Sequence, residues 1–251
     1  MVQDSEHLER PLSPCSVAVG SFDGLHLGHR ALIGRLKEIA GERDTSSLVV
    51  TFDPHPRMVL APDSDFRLLT TVREKRAILT KLGVDFDTII PFDDPYYNQM
   101  TPAGFVKWLK SAFEMEYMLI GFNHRFGRGG KGGAHNIGSL AEKYGFEAEV
   151  FPQQFVDGLN VSSSEVRRVV AEGDMALAAK LLGDPYLVIA DRGEDGLWSS
   201  ESPAKLLPPM GCYRVTVNGC ECECAVEQGG VVRFAKPVPE HEAHIYFIDK
   251  Q

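Results

Sequence analysis

Apolar residues along this chain fall into two rhythms. From Ser16 to Leu182, short unbroken apolar runs alternate with stretches in which apolar positions recur every three to four residues. Buried parallel strands read as continuous runs and their covering helices as a 3.6-residue period, so the alternation predicts an α/β fold with helices on both faces of a parallel sheet. The expected strands are residues 16–19, 48–52, 88–91, 117–121 and 147–151. Leu32, Ile33, Leu36, Ile39 and Ala40 mark a helix after the first strand. Thr71 with Glu74 forms a capping box opening a helix to about Leu82, and Thr101 before Pro102 sets a cap and an N1 proline ahead of a helix through Phe113. Residues 137–144 make a further helix. Ser162 with Glu165 opens another towards Glu172, Gly173 ends it, and Asp174 caps residues 175–182.

Beyond Gly183-Asp184-Pro185 the period falls to two. Residues 212–217, Asn218-Gly219 and 220–226 read as a hairpin, because Asn-Gly supplies the positive φ values of a type I′ turn. Residues 231–234 and 244–248 add strands, while 201–211, with three prolines, reads as a loop. Two domains are therefore expected, 1–185 and a small antiparallel β unit at 186–251.

Composition narrows the classes. In 251 residues, 43% hydrophobic content suffices for a real core. No run is long enough to span a bilayer, and residues 1–14 lack the apolar stretch of a signal peptide, so the expected location is the cytoplasm, with no membrane partner. A net charge of −9 argues against general attraction to nucleic acid. Positive groups must then be concentrated locally, as in Arg125, Arg128 and Lys131 among the glycines of 125–133, which read as a solvated loop or a closing lid. Five cysteines, an odd number, argue against a disulfide framework. Cys220, Cys222 and Cys224 alternate with Glu221 and Glu223, so a strand there turns all three thiols to one face; without Cys-x-x-Cys knuckles, the expectation is a thiol-lined core face rather than a metal site.

The candidate chemistry begins at Val17-Ala18-Val19-Gly20-Ser21-Phe22-Asp23-Gly24-Leu25-His26-Leu27-Gly28-His29. Two histidines three apart stand where a strand gives way to a helix. Amides at a helix start have no partner within the helix and attract anions. Gly20, Gly24 and Gly28 permit sharp turns and close approach of a phosphate, and imidazoles can donate to phosphate oxygens. The alternative is a pair of ordinary surface histidines in a glycine-rich turn. In open α/β sheets ligands sit at the carboxyl ends of strands. Asp53-Pro54-His55-Pro56 follows the second expected strand and Asn123-His124-Arg125 the fourth.

Several motifs in order resemble a known family. Residues 20–29, Thr51-Phe52-Asp53-Pro54-His55-Pro56, Leu69-Thr70-Thr71 with Glu74-Lys75, Gly121-Phe122-Asn123-His124-Arg125-Phe126-Gly127 and Ser162-Ser163-Ser164-Glu165-Val166-Arg167 together resemble the FMN adenylyltransferase module of bacterial bifunctional riboflavin kinase/FAD synthetases, over about residues 15–186. The resemblance implies a Rossmann-like nucleotidyltransferase of the His-x-Gly-His type that transfers AMP from ATP to FMN, giving FAD and pyrophosphate, with Mg²⁺ required. It implies that His26 and His29 hold the ATP phosphates and the transition state, with Asn123 near the reacting phosphates. It assigns Gly20, Phe22, Asp23, Gly24 and Gly28 to the nucleotide-binding turn, and Ser163, Ser164 and Arg167 to the triphosphate; Ser164 stands where the family commonly has Thr. Asp53, His55 and Arg125 fall to the flavin side, although 53–56 also reads as a rigid turn and Asp53 as a water-mediated Mg²⁺ contact. No protein-held metal site is otherwise expected.

The chain departs from that pattern after Tyr186. Ser199-Ser200-Glu201-Ser202-Pro203-Ala204 stands where the family's kinase module has a Gly-Phe-Pro-Thr-Ala-Asn-like segment, and what remains is short. A degenerate, kinase-inactive remnant is expected. Two other readings stay open: a nucleotidyltransferase with a different phosphorylated acceptor, and a nucleotide- or flavin-binding paralogue without catalysis.

Overall fold

The computed structural model describes residues 13–156 and 158–251; most of the polar start, residues 1–12, lies outside them. Two compact units divide the chain. The first comprises residues 13–22, 29–64 and 79–153, and the second Asp23–Gly28, Asp65–Ile78 and Gln154–Gln251. The expected boundary at 185/186 falls inside the second unit.

In chain order the elements up to residue 151 are β1 (Cys15–Val19), α1 (Leu27–Arg43), β2 (Ser46–Asp53), α2 (Pro56–Leu60), α3 (Val72–Leu82), β3 (Phe86–Pro91), α4 (Pro95–Asn98), α5 (Pro102–Phe113), β4 (Met115–Gly121), β5 (Arg125–Phe126), β6 (Gly132–Gly133), α6 (Ile137–Tyr144) and β7 (Glu147–Phe151). Five strands form one parallel sheet in the order β3-β2-β1-β4-β7. The order reverses between β1 and β4, so the carboxyl ends of these strands border the switch point. Val17, Val19, Leu48, Val50, Met118 and Ile120 of the sheet pack with Phe105, Val106, Leu109 and Phe113 of α5 in one core. Each such side chain contributes about 1.5–3 kcal/mol when fully buried. The helix starts follow the local chemistry expected of them: Thr101 Oγ1 accepts from the Gly104 amide at 3.0 Å, and the Thr71 amide donates to Glu74 at 2.8 Å. The apolar stripe of α1 is buried at Leu32, Ile33, Leu36, Ile39 and Ala40.

The second unit contains β8 (Phe155–Val156), β9 (Leu159–Asn160), α7 (Ser163–Glu172), α8 (Met175–Leu182), β10 (Tyr186–Arg192), β11 (Trp198–Ser200), β12 (Gly211–Val217), β13 (Cys220–Glu227), β14 (Val231–Phe234) and β15 (Glu242–Lys250). The last six close an antiparallel barrel in the order β10-β11-β14-β13-β12-β15. The expected small antiparallel β unit is thus a closed barrel. Its hairpin turns at Asn218 (φ 48) and Gly219 (φ 86), as type I′ requires. Inward positions alternate along β12 (Tyr213, Val215, Val217) and β15 (Ala243, Ile245, Phe247), and share one core with Val166, Val169 and Val170 of α7 and Leu181 of α8.

Two barrel strands, β10 and β11, stand outside the expected set. The five residues Tyr186–Ala190 are all buried, so the alternation that marks a half-exposed strand is missing. The thiol face also differs from expectation. Cys224 is buried, Cys222 is half-buried and Cys220 is exposed, burial rising along β13 away from the Asn218-Gly219 turn. Burial pushes the Cys224 thiol up to about 12. All five cysteines are free.

Candidate active site

In the first unit, candidate groups gather on loops at the carboxyl edge of the sheet. After β1 the chain is held flat against β2, with the Gly20 amide donating to Val50 O at 3.1 Å and Thr51 Oγ1 to Ser21 O at 3.1 Å. A Cβ on Gly20 would lie 3.0 Å from the Phe22 ring, so glycine lets that buried ring fold back over the backbone. Phe22 in turn meets His29 edge-on at 5.2 Å between ring centroids. His29 is half-buried in the first turn of α1, which carries no acidic residue. This helix start is therefore electrostatically suited to an anion.

Asn123 is exposed beyond β4, where the Phe122 amide donates to Phe151 O at 2.9 Å. Asp53, exposed at the end of β2, precedes a cis Asp53-Pro54 peptide. His55 caps α2, its Nδ1 accepting from the Arg57 amide at 3.1 Å. Large apolar groups are exposed on the same edge: Leu60 after β2, Tyr96 after β3 and Phe122 after β4, at 74%, 45% and 42%. Such a surface suits a flat apolar ring.

The glycine-rich segment is built rather than loose. Arg125–Phe126 pairs with Gly132–Gly133, the Arg128 amide donates to Met100 O at 2.6 Å, and Asn136 bonds both Lys131 O and the Gly133 amide. A Cβ on Gly132 would lie 2.6 Å from the Phe126 ring, and one on Gly127 2.7 Å from Pro102 N. The glycines permit close packing of this segment against Phe126 and Pro102. Arg125, Arg128 and Lys131 remain exposed. His124 stacks on Phe126, and its buried Nε2 has no hydrogen-bond partner among the described residues; burial lowers its pKa to about 4.

In the second unit, Asp23 is the hub. Its carboxylate is 1% exposed and accepts from the Leu69 amide at 3.0 Å, the Thr70 amide at 2.9 Å and Thr70 Oγ1 at 3.2 Å, and it pairs with Arg167. Thr70 Oγ1 also accepts from the Gly24 amide at 3.1 Å. Gly24 has φ +84, and a Cβ there would lie 2.8 Å from Leu69 Cδ1. Ser163 Oγ donates to Asp23 O at 2.8 Å, while Ser164 is exposed at the start of α7. That helix begins where Ser162 accepts from the Glu165 amide and ends at Gly173, φ 82. Arg167 further donates to Arg67 O at 2.7 Å and lies 4.2 Å over the Phe66 ring. Asp23 and Arg167, both expected at the nucleotide, thus bond each other.

His26 is 7% exposed, and its ring rests over Gly28, where a Cβ would lie 3.2 Å from ring atoms. Burial lowers its pKa to about 4, outweighing the opposing pull of a backbone hydrogen bond and Asp23. The imidazole is therefore neutral near pH 7, with one donor and one acceptor nitrogen rather than a charge. His26 falls in the second unit and His29 in the first. Thr70 and Lys205 escape a reading from sequence. Thr70 stands in the Leu69-Thr70-Thr71 run, where nothing in its type or spacing marks it out from Thr71, and Lys205 is a lone cation in a proline-rich loop.

A family model described as FAD synthetase matches residues 8–165. Among curated proteins, the chain is 34% identical over 171 residues to the bifunctional riboflavin kinase/FMN adenylyltransferase of Listeria monocytogenes, covering 68% of this chain and 54% of that one. It is 32% identical over 221 residues to the Escherichia coli protein of the same name, covering 84% and 70%. The chain thus spans about half the length of the Listeria relative. Among solved structures, one titled as a macrolide-efflux protein from Streptococcus pneumoniae superposes with a TM-score of 0.79 over 96% of this chain and 86% of that one, at 20% identity, which shows a shared fold.

Proposed function

The chain belongs to the FAD synthetase family, and from that premise we propose that it transfers AMP from ATP to FMN, releasing FAD and pyrophosphate. The observation that carries the reading is the strand, glycine-rich turn and helix start from β1 to α1, with His26 and His29 on it. The reaction needs little from the protein beyond alignment and charge neutralisation. An FMN phosphate oxygen, already ionised, attacks the α-phosphorus of ATP; a P–O bond forms, the bond to the β-phosphate bridge breaks, and pyrophosphate leaves with the electron pair. No proton has to be removed from the nucleophile.

His29 and the first amides of α1 would donate to phosphate oxygens, and His26, three residues earlier, would shape the turn that leads to them. Asn123 would contact the reacting phosphates. Gly20, Gly24 and Gly28 let Phe22, Leu69 and the His26 ring close onto the nucleotide-binding turn, Phe22 would orient His29, and Ser163 and Ser164 would present a second helix start to the anion. Asp23 and Arg167, bonded to each other, would hold that turn in shape, with the Arg167 charge beside the triphosphate. On the flavin side, Asp53, His55 and Arg125 share a sheet edge with exposed Leu60, Tyr96 and Phe122, which fits an isoalloxazine ring.

Mg²⁺ would come with the triphosphate. Among the described residues no group of three or more His, Cys, Asp or Glu is gathered to hold a metal ion, and Mg²⁺ characteristically keeps several waters and binds through phosphates and one carboxylate. Asp53 would be that carboxylate, through water, and the ion would neutralise charge on the leaving pyrophosphate.

We assign no riboflavin kinase activity to the barrel, since residues 199–204 lack the segment that binds nucleotide and metal in the family and the inward positions are filled by side chains. Among the described residues no helix is long and apolar enough to cross a membrane, and we place the reaction in the cytoplasm, where ATP and FMN are at hand. Incubation with ATP, Mg²⁺ and FMN, followed by chromatographic detection of FAD, tests the reading. FAD formation is expected. Turnover only with another phosphorylated acceptor, or tight binding of ATP and FMN without product, would overturn it.

A further inference from the structure

Lys205 lies in the proline-rich loop that joins β11 to β12, yet its side chain is among the most buried polar groups described, at 1% exposure. All three ammonium protons are used. They go to Leu69 O at 2.6 Å, Leu187 O at 2.8 Å and Glu74 Oε2 at 2.6 Å, with the Tyr186 ring 4.3 Å away. Glu74, fully buried in the first turn of α3, also accepts from the Ile189 amide at 2.9 Å and the Thr71 amide at 2.8 Å. Leu187 and Ile189 are on β10. Burial pushes Glu74 up and Lys205 down, and each charge pulls the other back.

A capping box needs Glu74 but has no need of a lysine from a distant loop. What the lysine adds is a grip on Leu69, whose carbonyl it holds while the Leu69 amide holds Asp23. Beside it the backbone is tied twice more, the Leu68 amide donating to Ala204 O and the Leu206 amide to Leu68 O, each at 2.8 Å. The neighbouring Thr70 carries the Gly24 amide. A continuous path of hydrogen bonds therefore runs within this unit from β10 through Lys205, Leu69 and Asp23 to the turn that bears His26.

Resting on the function proposed above, we propose that Lys205 and Glu74 are positioning residues for adenylyl transfer. They suspend the turn Asp23–Gly28 from the barrel, so a barrel without the kinase segment still serves as the fixed frame for the phosphate-binding turn.

The experiment uses the full chain with Lys205→Met, and with Glu74→Gln/Lys205→Met, which removes both charges and avoids stranding one in the interior. Amide hydrogen exchange is read at Gly24, Leu69 and Thr70 against β12 and β13 as internal reference, and FAD turnover is measured alongside. Exchange at the three amides is expected to speed up by about tenfold or more while the reference strands stay protected, and kcat to fall by about tenfold or more with KM for FMN unchanged, as for a displaced catalytic group. Should the single variant fail to fold, the double variant carries the same expectations. Unchanged exchange at Gly24, Leu69 and Thr70 in a folded variant overturns the proposal whatever the activity, and so does unchanged kcat. If the unmodified chain makes no FAD, the functional reading fails, and the exchange measurement still decides whether Lys205 holds the turn.

Discussion

An imidazole in the first turn of a helix, half-buried and set against the edge of an aromatic ring in its own unit, contributes little packing to the fold. For His29 this separates function from stability. His29→Ala should lower FAD turnover by about 10²-fold or more, the scale of one preorganised donor, while the urea unfolding midpoint hardly moves. Unchanged turnover would remove His29 from the mechanism. His26 and His124 make the opposite case, because burial lowers both pKa values from 6.5 to about 4. The folded state excludes a proton that the unfolded chain accepts, so their stabilisation is complete above pH 6.5 and is lost as the pH falls towards 4. Full loss for His26 is on the order of 3 kcal/mol. His124→Phe should flatten this acid limb, and should stabilise the protein at pH 7 by about 1 kcal/mol, since an unpartnered buried nitrogen is removed. Urea unfolding at pH 7 and pH 5 checks both, and an unaltered pH dependence in the variant would contradict the burial of His124.

Among the turns and caps, two glycines with nearly equal φ make a controlled pair. Gly219 (φ +86) has open space where a Cβ would go, whereas Gly24 (φ +84) has Leu69 Cδ1 at 2.8 Å. Gly219→Ala should therefore cost only the left-handed backbone penalty, about 1–2 kcal/mol, without affecting turnover. Gly24→Ala should cost more and also slow FAD formation, because it pushes on the turn that carries His26; equal denaturation midpoints for the two variants would contradict this. The same locality explains what the sequence made legible. Thr101, Ser162 and Asp174 cap their helices through bonds to amides three residues on, and Asn218-Gly219 fixes its hairpin alone, so residue type and spacing sufficed. The motif order around His26 and His29 was readable for the same reason. The grip of Lys205 on Leu69 spans 136 residues and that of Arg167 on Asp23 spans 144, and no local pattern encodes either. Tyr186–Ala190, buried on both faces, lacked the alternation that reveals a barrel strand, and two-residue strands such as Arg125–Phe126 are too short to carry a period.

On the scale of the molecule, the chain carries a net charge of −9 and yet exposes Arg125, Arg128 and Lys131 together on one packed glycine hairpin, a local positive field suited to a polyphosphate. Its matches span 54% of the Listeria relative and 70% of the Escherichia coli one, and residues 186–250 close a six-stranded barrel. On the proposed function, the barrel would serve as a frame and the sheet edge would serve nucleotidyl transfer: attack would fall on the α-phosphorus of ATP, and phosphoryl transfer from the γ-position would not occur. Phosphorus NMR of the full chain with ATP and Mg²⁺, given FMN in one sample and riboflavin in another, reads that difference directly. The account predicts pyrophosphate and the paired phosphate signals of FAD rising together with FMN and no change with riboflavin; ADP appearing in either sample, or no pyrophosphate with FMN, would contradict it.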